Sequence, residues 1–405
     1  MDDEFDPQPG DRIGDNIRRL RGKALTRQEL ADKSEVSVDL LKLLEQGTRN
    51  STSLATLRKL AAALDCDISD ITGKRTGLPN ATGETAGVIA IRRALTSVDH
   101  LTGTADEHLP ITLADARRTV TYAWGSYWAG RYEKLASVLP AGIADLRATQ
   151  QAAQGPDKAP ASELFARILW ATACTLVHLG HTDTAWQAVK DAHTAALLGN
   201  DPLLEATLRG SIGWQLLVQG RQDESRAVVL NAARDIQPVG DVSDAHLSVY
   251  GSLLLQAATA SGRDQKVSLA LDLADEAQTV AARLPGDTKD YECNFGPSQV
   301  VMQRTDIHVS SEMYPEAVTA AKAMPFGGTG LTQVSQARHL LDRAAALTRL
   351  GKFDDAYKLV STAEKVGGDQ WARHQSLFRT VVAELQDNDR TPGLREIARR
   401  IGLRG

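Results

Sequence analysis

Residues 25–47, LTRQELADKSEVSVDLLKLLEQG, predict two short helices joined by a tight turn. Thr26 can cap the first helix, and Glu29 stands three residues later, where it completes a capping box. Ser37 can cap the second helix, and Gly47 ends it. Two short helices joined so closely have the geometry of a helix-turn-helix, whose second helix can enter the major groove of DNA.

Apolar residues on both sides of this pair complete a small helical domain. Ile13, Ile17 and Leu20 share one face of a helix that precedes the pair. A fourth helix, over residues 54–64, and a last short helical turn follow it. The sequence therefore predicts a five-helix domain within residues 8–72.

The chain is acidic overall, but its N-terminal part is basic. The 405 residues carry a formal net charge of −5. Between residues 12 and 60, however, eleven Lys and Arg stand against six Asp and Glu. A small basic unit on an acidic body indicates one nucleic-acid surface, with the rest of the chain repelled from the polyanion.

Residues 13–71 resemble the XRE family, the λ-repressor/Cro-like helix-turn-helix regulators. The matching pieces are LTRQELA, SVDLLKLLEQG and TLRKLAAALD, in that order. The resemblance implies a double-stranded DNA operator as partner and a structural ion pair between Arg21 and Glu45. It also places the following residues at the DNA: Arg27, Gln28, Ser37, Val38, Asp39, Lys42, Leu43, Thr48, Arg49 and Asn50.

These side chains predict different contacts. Arg27 can hold a phosphate, Lys42 can donate to guanine, and Asp39 can accept from N4 of cytosine. Val38 and Leu43 can only touch thymine methyl groups. Simple solvent exposure is the alternative for each of these residues, and packing against the fourth helix is a further alternative for Leu43. So few base donors indicate that DNA shape and the spacing of two heads share in the discrimination.

Residues 73–87, GKRTGLPNATGETAG, have the composition of a linker. Residues 88–405 are predicted to be helical almost throughout, and one unit recurs in them: a helix that ends near a glycine, a polar turn, and a second helix rich in small residues. The best copy is LGKFDDAYKLV, and a degenerate copy covers residues 306–324. The predicted turn glycines are Gly130, Gly180, Gly220, Gly262 and Gly351.

This pattern looks like a tetratricopeptide array, an α-solenoid in which each helical hairpin packs on its neighbours. The predicted fold is therefore all-α, with a λ-repressor-like domain before a solenoid. Residues 295–323, FGPSQVVMQRTDIHVSSEMYPEAVTAAKA, and the segments after them resemble bacterial XRE regulators with tetratricopeptide-like sensor domains, close to the RRNPP quorum-sensing type. That resemblance implies a homodimer and a signalling peptide or small molecule as ligand.

Long aromatic and polar side chains on the first helices of the repeats would face the concave side of such a solenoid. Asn can clamp a peptide backbone there, and Arg its carboxylates. Core packing is the alternative for each Trp, and helix capping is the alternative for the Asn. The predicted ligand residues are Trp124, Trp128, Arg167, Trp170, Arg209, Trp214, Tyr250, Asn294, Phe295, Arg304 and His308.

The sequence offers no catalytic constellation: HExxH, CxxC, GxSxG and GxGxxG are all absent. His178 and His181 have no Cys or carboxylate cluster beside them. We therefore expect no enzyme, no cofactor and no metal. No apolar run approaches the roughly 20 residues of a membrane helix. The acidic N-terminus is unlike a signal peptide, and three scattered cysteines fit the cytoplasm.

Two functions stay open on the sequence. The first is a ligand-responsive transcriptional regulator, of which we favour a repressor. The second is an interaction scaffold whose array docks a regulatory partner protein. A deep polar groove would favour the first, whereas a flat, exposed apolar patch would favour the second.

Overall fold

The computed structural model describes residues 13–22, 25–49, 52–64, 66, 71, 86–97, 108–325, 330–388 and 392–403. The chain divides into two compact units, residues 1–82 and 83–405. Helices dominate the described residues, and one isolated antiparallel bridge joins Thr288 to Phe295. The predicted all-α class is confirmed. None of the described helices is both long and apolar enough to span a membrane.

The first unit contains four described helices around one apolar core. These are α1 (Ile13–Arg21), α2 (Arg27–Ser34), α3 (Val38–Glu45) and α4 (Leu54–Leu64). The predicted fifth helix lies outside the described residues, apart from Ile71, which is buried. The largest buried side chains of this core are Ile17, Leu30, Leu41, Leu44, Leu60 and Ile71.

The caps expected from the sequence set the starts of α2 and α3. Glu29 N donates to Thr26 Oγ1 at 3.2 Å, and Thr26 N donates to Glu29 Oε2 at 2.6 Å, which completes the capping box. Ser37 Oγ accepts from the backbone N–H of Leu40 at 3.2 Å. Between the two helices Glu35 adopts a left-handed conformation, with φ of 52°, and turns the chain.

Helix α1 approaches α3 so closely that only glycine fits at the crossing. A Cβ at Gly14 would lie 1.8 Å from the carbonyl oxygen of Leu44. Since no side chain separates the two backbones there, the start of α1 lies against the end of α3. This contact places the arginines of α1 next to Glu45.

The second unit consists of helical hairpins, preceded by one helix and followed by two. Its predicted linker lies outside the described residues up to residue 85. The helices are α5 (Ala86–Leu95), α6 (Leu113–Trp128), α7 (Tyr132–Ala152), α8 (Lys158–His178), α9 (Thr182–Ala196), α10 (Pro202–Val218), α11 (Gln222–Asp235), α12 (Asp244–Arg263), α13 (Val267–Ala281), α14 (Pro297–Ser310), α15 (Tyr314–Ala321), α16 (Gln333–Arg349), α17 (Phe353–His374), α18 (Ser376–Asn388) and α19 (Pro392–Arg400).

Six hairpins, from α6–α7 to α16–α17, share one turn. Its middle residue is left-handed, with φ between 61° and 86°, and the next N–H donates to the carbonyl five residues back at 2.8–3.1 Å. Glycine fills the middle position in four turns, whereas Gln265 and Glu312 fill it in the others. The predicted repeat is confirmed, and the degenerate copy is a true hairpin.

The predicted turn at Gly262 is wrong. Gly262 lies within α12, and the chain turns three residues later at Gln265. A Cβ at Gly262 would lie 3.3 Å from the side chain of Ile307, so this glycine serves the packing of α12 on α14. The sequence pattern predicts the turn at a glycine, because glycine adopts positive φ most easily. The actual turn instead places Gln265 at positive φ.

Successive hairpins pack side by side, and each first helix, from α6 to α16, contacts the next first helix. The two ends of this row also meet. A Cβ at Gly130, in the first hairpin turn, would lie 3.4 Å from both the carbonyl oxygen of Gly367 and the Cβ of Trp371 in α17. The array therefore returns to its own start, and its first helices enclose a space between them.

Candidate DNA-binding surface and ligand cavity

Helix α3, together with its N-cap Ser37, presents an exposed face. Ser37, Asp39 and Lys42 are exposed, and Leu43 is 39% exposed. Leu43 is not among the side chains that pack on the apolar core of the first unit. Val38 differs from these residues, because its half-buried side chain packs against the core of the first unit. Packing limits what Val38 can offer to a base.

The other predicted DNA residues surround this face. Gln28 is exposed, and its Nε2 donates to Asp32 Oδ1 at 2.9 Å. Thr48 is exposed after the end of α3, and the backbone N–H of Arg49 donates to the carbonyl of Leu43 at 3.0 Å. Asn50 lies outside the described residues.

Glu45 is the electrostatic centre of the first unit. Glu45 is 3% exposed, and its carboxylate accepts hydrogen bonds from Arg21 Nε at 2.9 Å and from Arg21 Nη2 at 3.3 Å. Arg18 Nη2 also donates to the Glu45 carbonyl at 3.1 Å. Burial alone would raise the pKa of Glu45, but the hydrogen bonds and charges of Arg21 and Arg27 outweigh it and lower the pKa. The ion pair implied by the resemblance is thus present, with an additional arginine.

Arg27, predicted to hold a phosphate, is that additional arginine. Its Nε and Nη2 donate to Glu45 Oε2 at 3.0 and 2.7 Å. The first residue of α2 is therefore tied to the last residue of α3, which fixes the angle between the two helices. A DNA phosphate would compete with Glu45 for this guanidinium, whose side chain is 34% exposed.

The second unit encloses a cavity of about 340 Å³. Side chains from every first helix between α6 and α16 line it, together with the loop before α14. One end is aromatic and the other carries charged groups. The aromatic end contains Trp124, Tyr127, Trp128, Trp170 and Trp214.

The aromatic rings form a connected cluster. The centroids of Trp124 and Trp170 lie 4.5 Å apart in an edge-to-face arrangement, and those of Tyr127 and Trp128 lie 4.9 Å apart. Trp170 Nε1 donates to Ser211 Oγ at 2.9 Å. Trp124 and Trp170 are buried, whereas Trp128 and Trp214 are half-buried. The cluster is thus part of the core and part of the cavity wall.

Glu292 reaches this aromatic end from the loop between α13 and α14. Trp128 Nε1 donates to its Oε2 at 3.1 Å. Burial raises the pKa of Glu292, because it outweighs the Trp128 hydrogen bond and the charge of Arg167. Among the residues that the structure describes, the Glu292 carboxylate has no ion-pair partner.

The charged end contains two arginines and two aspartates. Arg338 Nε donates to both carboxylate oxygens of Asp342 at 3.0 and 3.2 Å, and its Nη2 donates to Asp306 Oδ1 at 2.7 Å. Arg263 lies 3.9 Å from Asp306. Burial works against the charge of Arg338, but Asp342 and Asp306 outweigh it and raise the Arg338 pKa. Burial also raises the pKa of Asp342, to about 7, although Arg338 opposes it.

Two cysteines, Cys174 and Cys293, line the same cavity as thiols. Burial raises the pKa of Cys174 to about 12 and that of Cys293 to about 11. Both are therefore protonated near neutral pH and are weak nucleophiles. Among the described residues, no group of three or more His, Cys, Asp or Glu is arranged to hold a metal ion.

A second cavity, of about 560 Å³, lies beside the first. Trp124, Trp128 and Glu292 line both cavities, so these three side chains form the partition between them. Arg117 and Arg167 line only the second cavity. Arg167 lies 3.6 Å from the carboxylate of Asp201 and stacks over the ring of Tyr291 at 5.1 Å.

Six of the eleven predicted ligand residues line these cavities. They are Trp124, Trp128, Trp170, Trp214 and Asn294 in the first, and Arg167 in the second. The sequence reasoning missed Glu292, Arg263 and Arg338. Arg338 and Asp342 stand four residues apart on a first helix, a spacing that indicates an ion pair on one helix face. Glu292 lies in a loop, where no helical periodicity indicates which way a side chain faces.

The other five predicted residues do not line these cavities, and each has a partner or a packing role elsewhere. Arg209 Nη1 pairs with Asp235 at 2.5 Å, and Arg304 pairs with Asp275. Tyr250 is buried, and its hydroxyl donates to Glu276. Phe295 is buried against Gly251 of α12, and His308 is buried within α14.

Comparison with known proteins identifies the first unit. Residues 17–71 match the helix-turn-helix family model HTH_3. No curated protein matches the chain. Among solved structures, the crystal structure of Bacillus thuringiensis PlcR in complex with the peptide PapR7 and DNA aligns with a TM-score of 0.37 and 12% identity, over 77% of this chain and 95% of that chain.

The first unit is therefore a helix-turn-helix DNA-binding domain, and the predicted XRE resemblance is confirmed for this part of the chain. Six helical hairpins with one shared turn define the fold of the second unit. The chain thus joins a DNA-binding head to a tetratricopeptide-like helical array.

Proposed function

We propose that this protein is a cytoplasmic, ligand-responsive transcriptional regulator that binds a double-stranded DNA operator as a homodimer. The DNA-binding role follows from the helix-turn-helix and from the exposed face of α3. Asp39 and Lys42 are the base-reading groups, and Ser37, Thr48 and Arg49 approach the backbone. Two polar base readers in one head give little discrimination, which favours a pair of heads on two half-sites.

The cavity of the second unit carries the ligand-responsive part of the proposal. Its walls come from all six first helices, so a ligand there would touch every hairpin. Filling the cavity would favour one curvature of the array over another, and a ligand shifts an equilibrium by its differential affinity for the two states. Half-sites about one helical turn apart, roughly 34 Å, tolerate little misplacement of two heads. A small rearrangement could therefore release the operator, and we favour repression relieved by the ligand.

Footprinting of the purified protein on its own promoter region, with and without cell extract, tests this proposal. We expect protection of a near-palindromic site, and loss of protection when extract is added. Light scattering should give the mass of a dimer at micromolar concentration. A monomer, or protection that extract never changes, would contradict homodimeric ligand control.

Two substitutions test the assignment of the DNA surface. Lys42→Ala should relax the preference at one base position, with a loss of about 1–3 kcal/mol of discrimination. Arg27→Ala should weaken binding to all sequences alike, because Arg27 orients α2 on α3 through Glu45. Lys33→Ala, on the exposed end of α2, is the matched control. If both test variants bind like the control, the placement of α3 at the DNA is wrong.

A further inference from the structure

The first cavity, of about 340 Å³, contains one carboxylate that has no ion-pair partner among the described residues. The four charged residues at its far end, Arg263, Asp306, Arg338 and Asp342, form one hydrogen-bonded and ion-paired cluster. Glu292, at the aromatic end, accepts only an indole N–H from Trp128 in the described structure. A neutral indole cannot balance a carboxylate. The charge of Arg167 acts on Glu292 from the second cavity, but Arg167 is itself paired with Asp201 at 3.6 Å. The aromatic end therefore holds a negative charge that is only partly compensated.

The loop that carries Glu292 is held in an unfavourable backbone conformation. Tyr291 and Glu292 are both left-handed, with φ of 50° and 56°, although neither is glycine. Tyr291 is fixed by its hydroxyl, which donates to Asp201 Oδ1 at 2.9 Å. The bridge between Thr288 and Phe295 closes the loop. Strained residues persist where the surroundings over-determine them, and they cluster at functional sites.

Aromatic rings surround the position to which this loop brings the carboxylate. Trp128, the donor to Glu292, has its ring 6.1 Å from that of Trp124 and 4.9 Å from that of Tyr127. Trp170 and Trp214 continue the same wall. The faces of indole and phenol rings carry negative potential, and they attract cations, most strongly where water is excluded.

The Glu292 carboxylate and the aromatic rings around it favour the same kind of ligand. A neutral or anionic occupant would remove water from Glu292 and leave the carboxylate unpaired, which is costly. An organic ammonium group would instead pair with the carboxylate and meet the ring faces at once. A cavity of about 340 Å³ lies at the lower end of the range for small-molecule sites.

We propose that the aromatic end of the first cavity binds a small organic ammonium ion, with Trp124, Trp128 and Trp214 as ring partners and Glu292 as counter-ion. This inference rests on the proposed function, in which the cavity is the sensor, and it names the class of ligand. The clustered arginines and aspartates at the far end are left to contact the polar remainder of that ligand.

The test is a fluorescence titration of the full-length protein with choline and with its uncharged isostere, 3,3-dimethyl-1-butanol. Four of the six tryptophans line the cavity, so occupancy should change the emission. We expect choline to bind about tenfold more tightly than the alcohol, with sodium chloride as the ionic-strength control. Glu292→Gln should reduce this preference to about twofold, because the amide keeps the shape but not the charge.

Glu316→Gln is the matched control, because Glu316 is exposed on α15 and outside both cavities. It should keep the full preference for choline. Equal binding of choline and the alcohol, binding of neither, or an unchanged preference in a folded Glu292→Gln variant would each overturn the ammonium site. The comparison within the native protein decides the matter even if Glu292→Gln does not fold.

Failure of this inference can be told from failure of the proposed function. If cell extract releases the operator but choline shows no advantage over the alcohol, the regulator is ligand-responsive and its ligand is not a cation. If the releasing activity of the extract is retained by a cation-exchange resin at neutral pH, both the sensor role and the positive charge are supported. If extract never releases the operator while choline is preferred, the cation site stands without the regulatory role.

Discussion

Glu45 in the DNA-binding head and Glu292 in the helical array are placed in opposite electrostatic surroundings. Glu45 accepts hydrogen bonds from two guanidinium groups, which lower its pKa despite burial. Glu292 accepts one hydrogen bond from an indole, and burial raises its pKa. The carboxylate of Glu45 is paired with cations of the protein itself, whereas that of Glu292 can still pair with a cationic ligand.

The difference separates a structural group from a receptive one. A carboxylate tied to two helices by arginines fixes a geometry, as Glu45 fixes α2 against α3. A half-buried carboxylate without an ion-pair partner is costly, and such perturbed groups concentrate at functional sites. The two glutamates should therefore respond to the same substitution with opposite signs.

The largest effect is expected for Glu45→Gln. The amide leaves Arg21 and Arg27 without a countercharge, so the first unit should lose about 2 kcal/mol of its free energy of unfolding. All tryptophans and tyrosines lie between residues 122 and 371. Urea unfolding followed by far-ultraviolet circular dichroism should therefore show an early transition that tryptophan fluorescence does not. Glu35→Gln, which breaks an exposed pair with Lys59, is the control and should show no early transition. An early transition in that variant as well would mean that the loss of stability is not specific to the buried Glu45.

A smaller effect of the opposite sign is expected for Glu292→Gln. The substitution removes a poorly solvated charge and keeps an acceptor for Trp128, so the second unit should gain about 1 kcal/mol. Tryptophan fluorescence during urea unfolding measures this unit alone. A loss of stability as large as that of Glu45→Gln would mean that Glu292 is a structural group after all.

The smallest effect is the pH dependence of that gain. The pKa of Glu292 is raised above its ordinary value of 4.5, so its ionisation destabilises the folded state as pH rises from 4.5 through the folded-state pKa. The advantage of Glu292→Gln over the native protein should therefore shrink as pH falls from neutral toward 4.5. The contribution of Glu45, whose pKa is lowered, should persist across this window and fade only below it. A constant advantage across the window would contradict a raised pKa at Glu292.

Local chemistry made much of the first unit predictable. Thr26, Glu29 and Ser37 act within four residues of their own positions, and the spacing of such caps is written in the sequence. Arg21 and Glu45 came from the family resemblance. The second arginine on Glu45, Arg27, is eighteen residues away in sequence, and its position at the start of α2 predicts a phosphate contact equally well.

The second unit was predictable in its repeats and less so in its site. Glycine marks four of the six turns, so the hairpin pattern was visible. The turn at Gln265 and the loop at Glu292 place ordinary residues at positive φ, which only tertiary contacts such as that of Tyr291 with Asp201 can enforce. Phe295 illustrates the same limit, since its burial depends on Gly251, more than forty residues away.

The contact of Gly130 with Gly367 and Trp371 also bears on how the array folds. An open row of repeats can nucleate anywhere and lose its units one at a time, because each unit holds only its neighbours. A row whose last member touches its first must close one long loop before the ring is complete, and that closure costs chain entropy. The second unit should therefore assemble slowly and melt as a single cooperative block, and removal of its last hairpin should loosen its first.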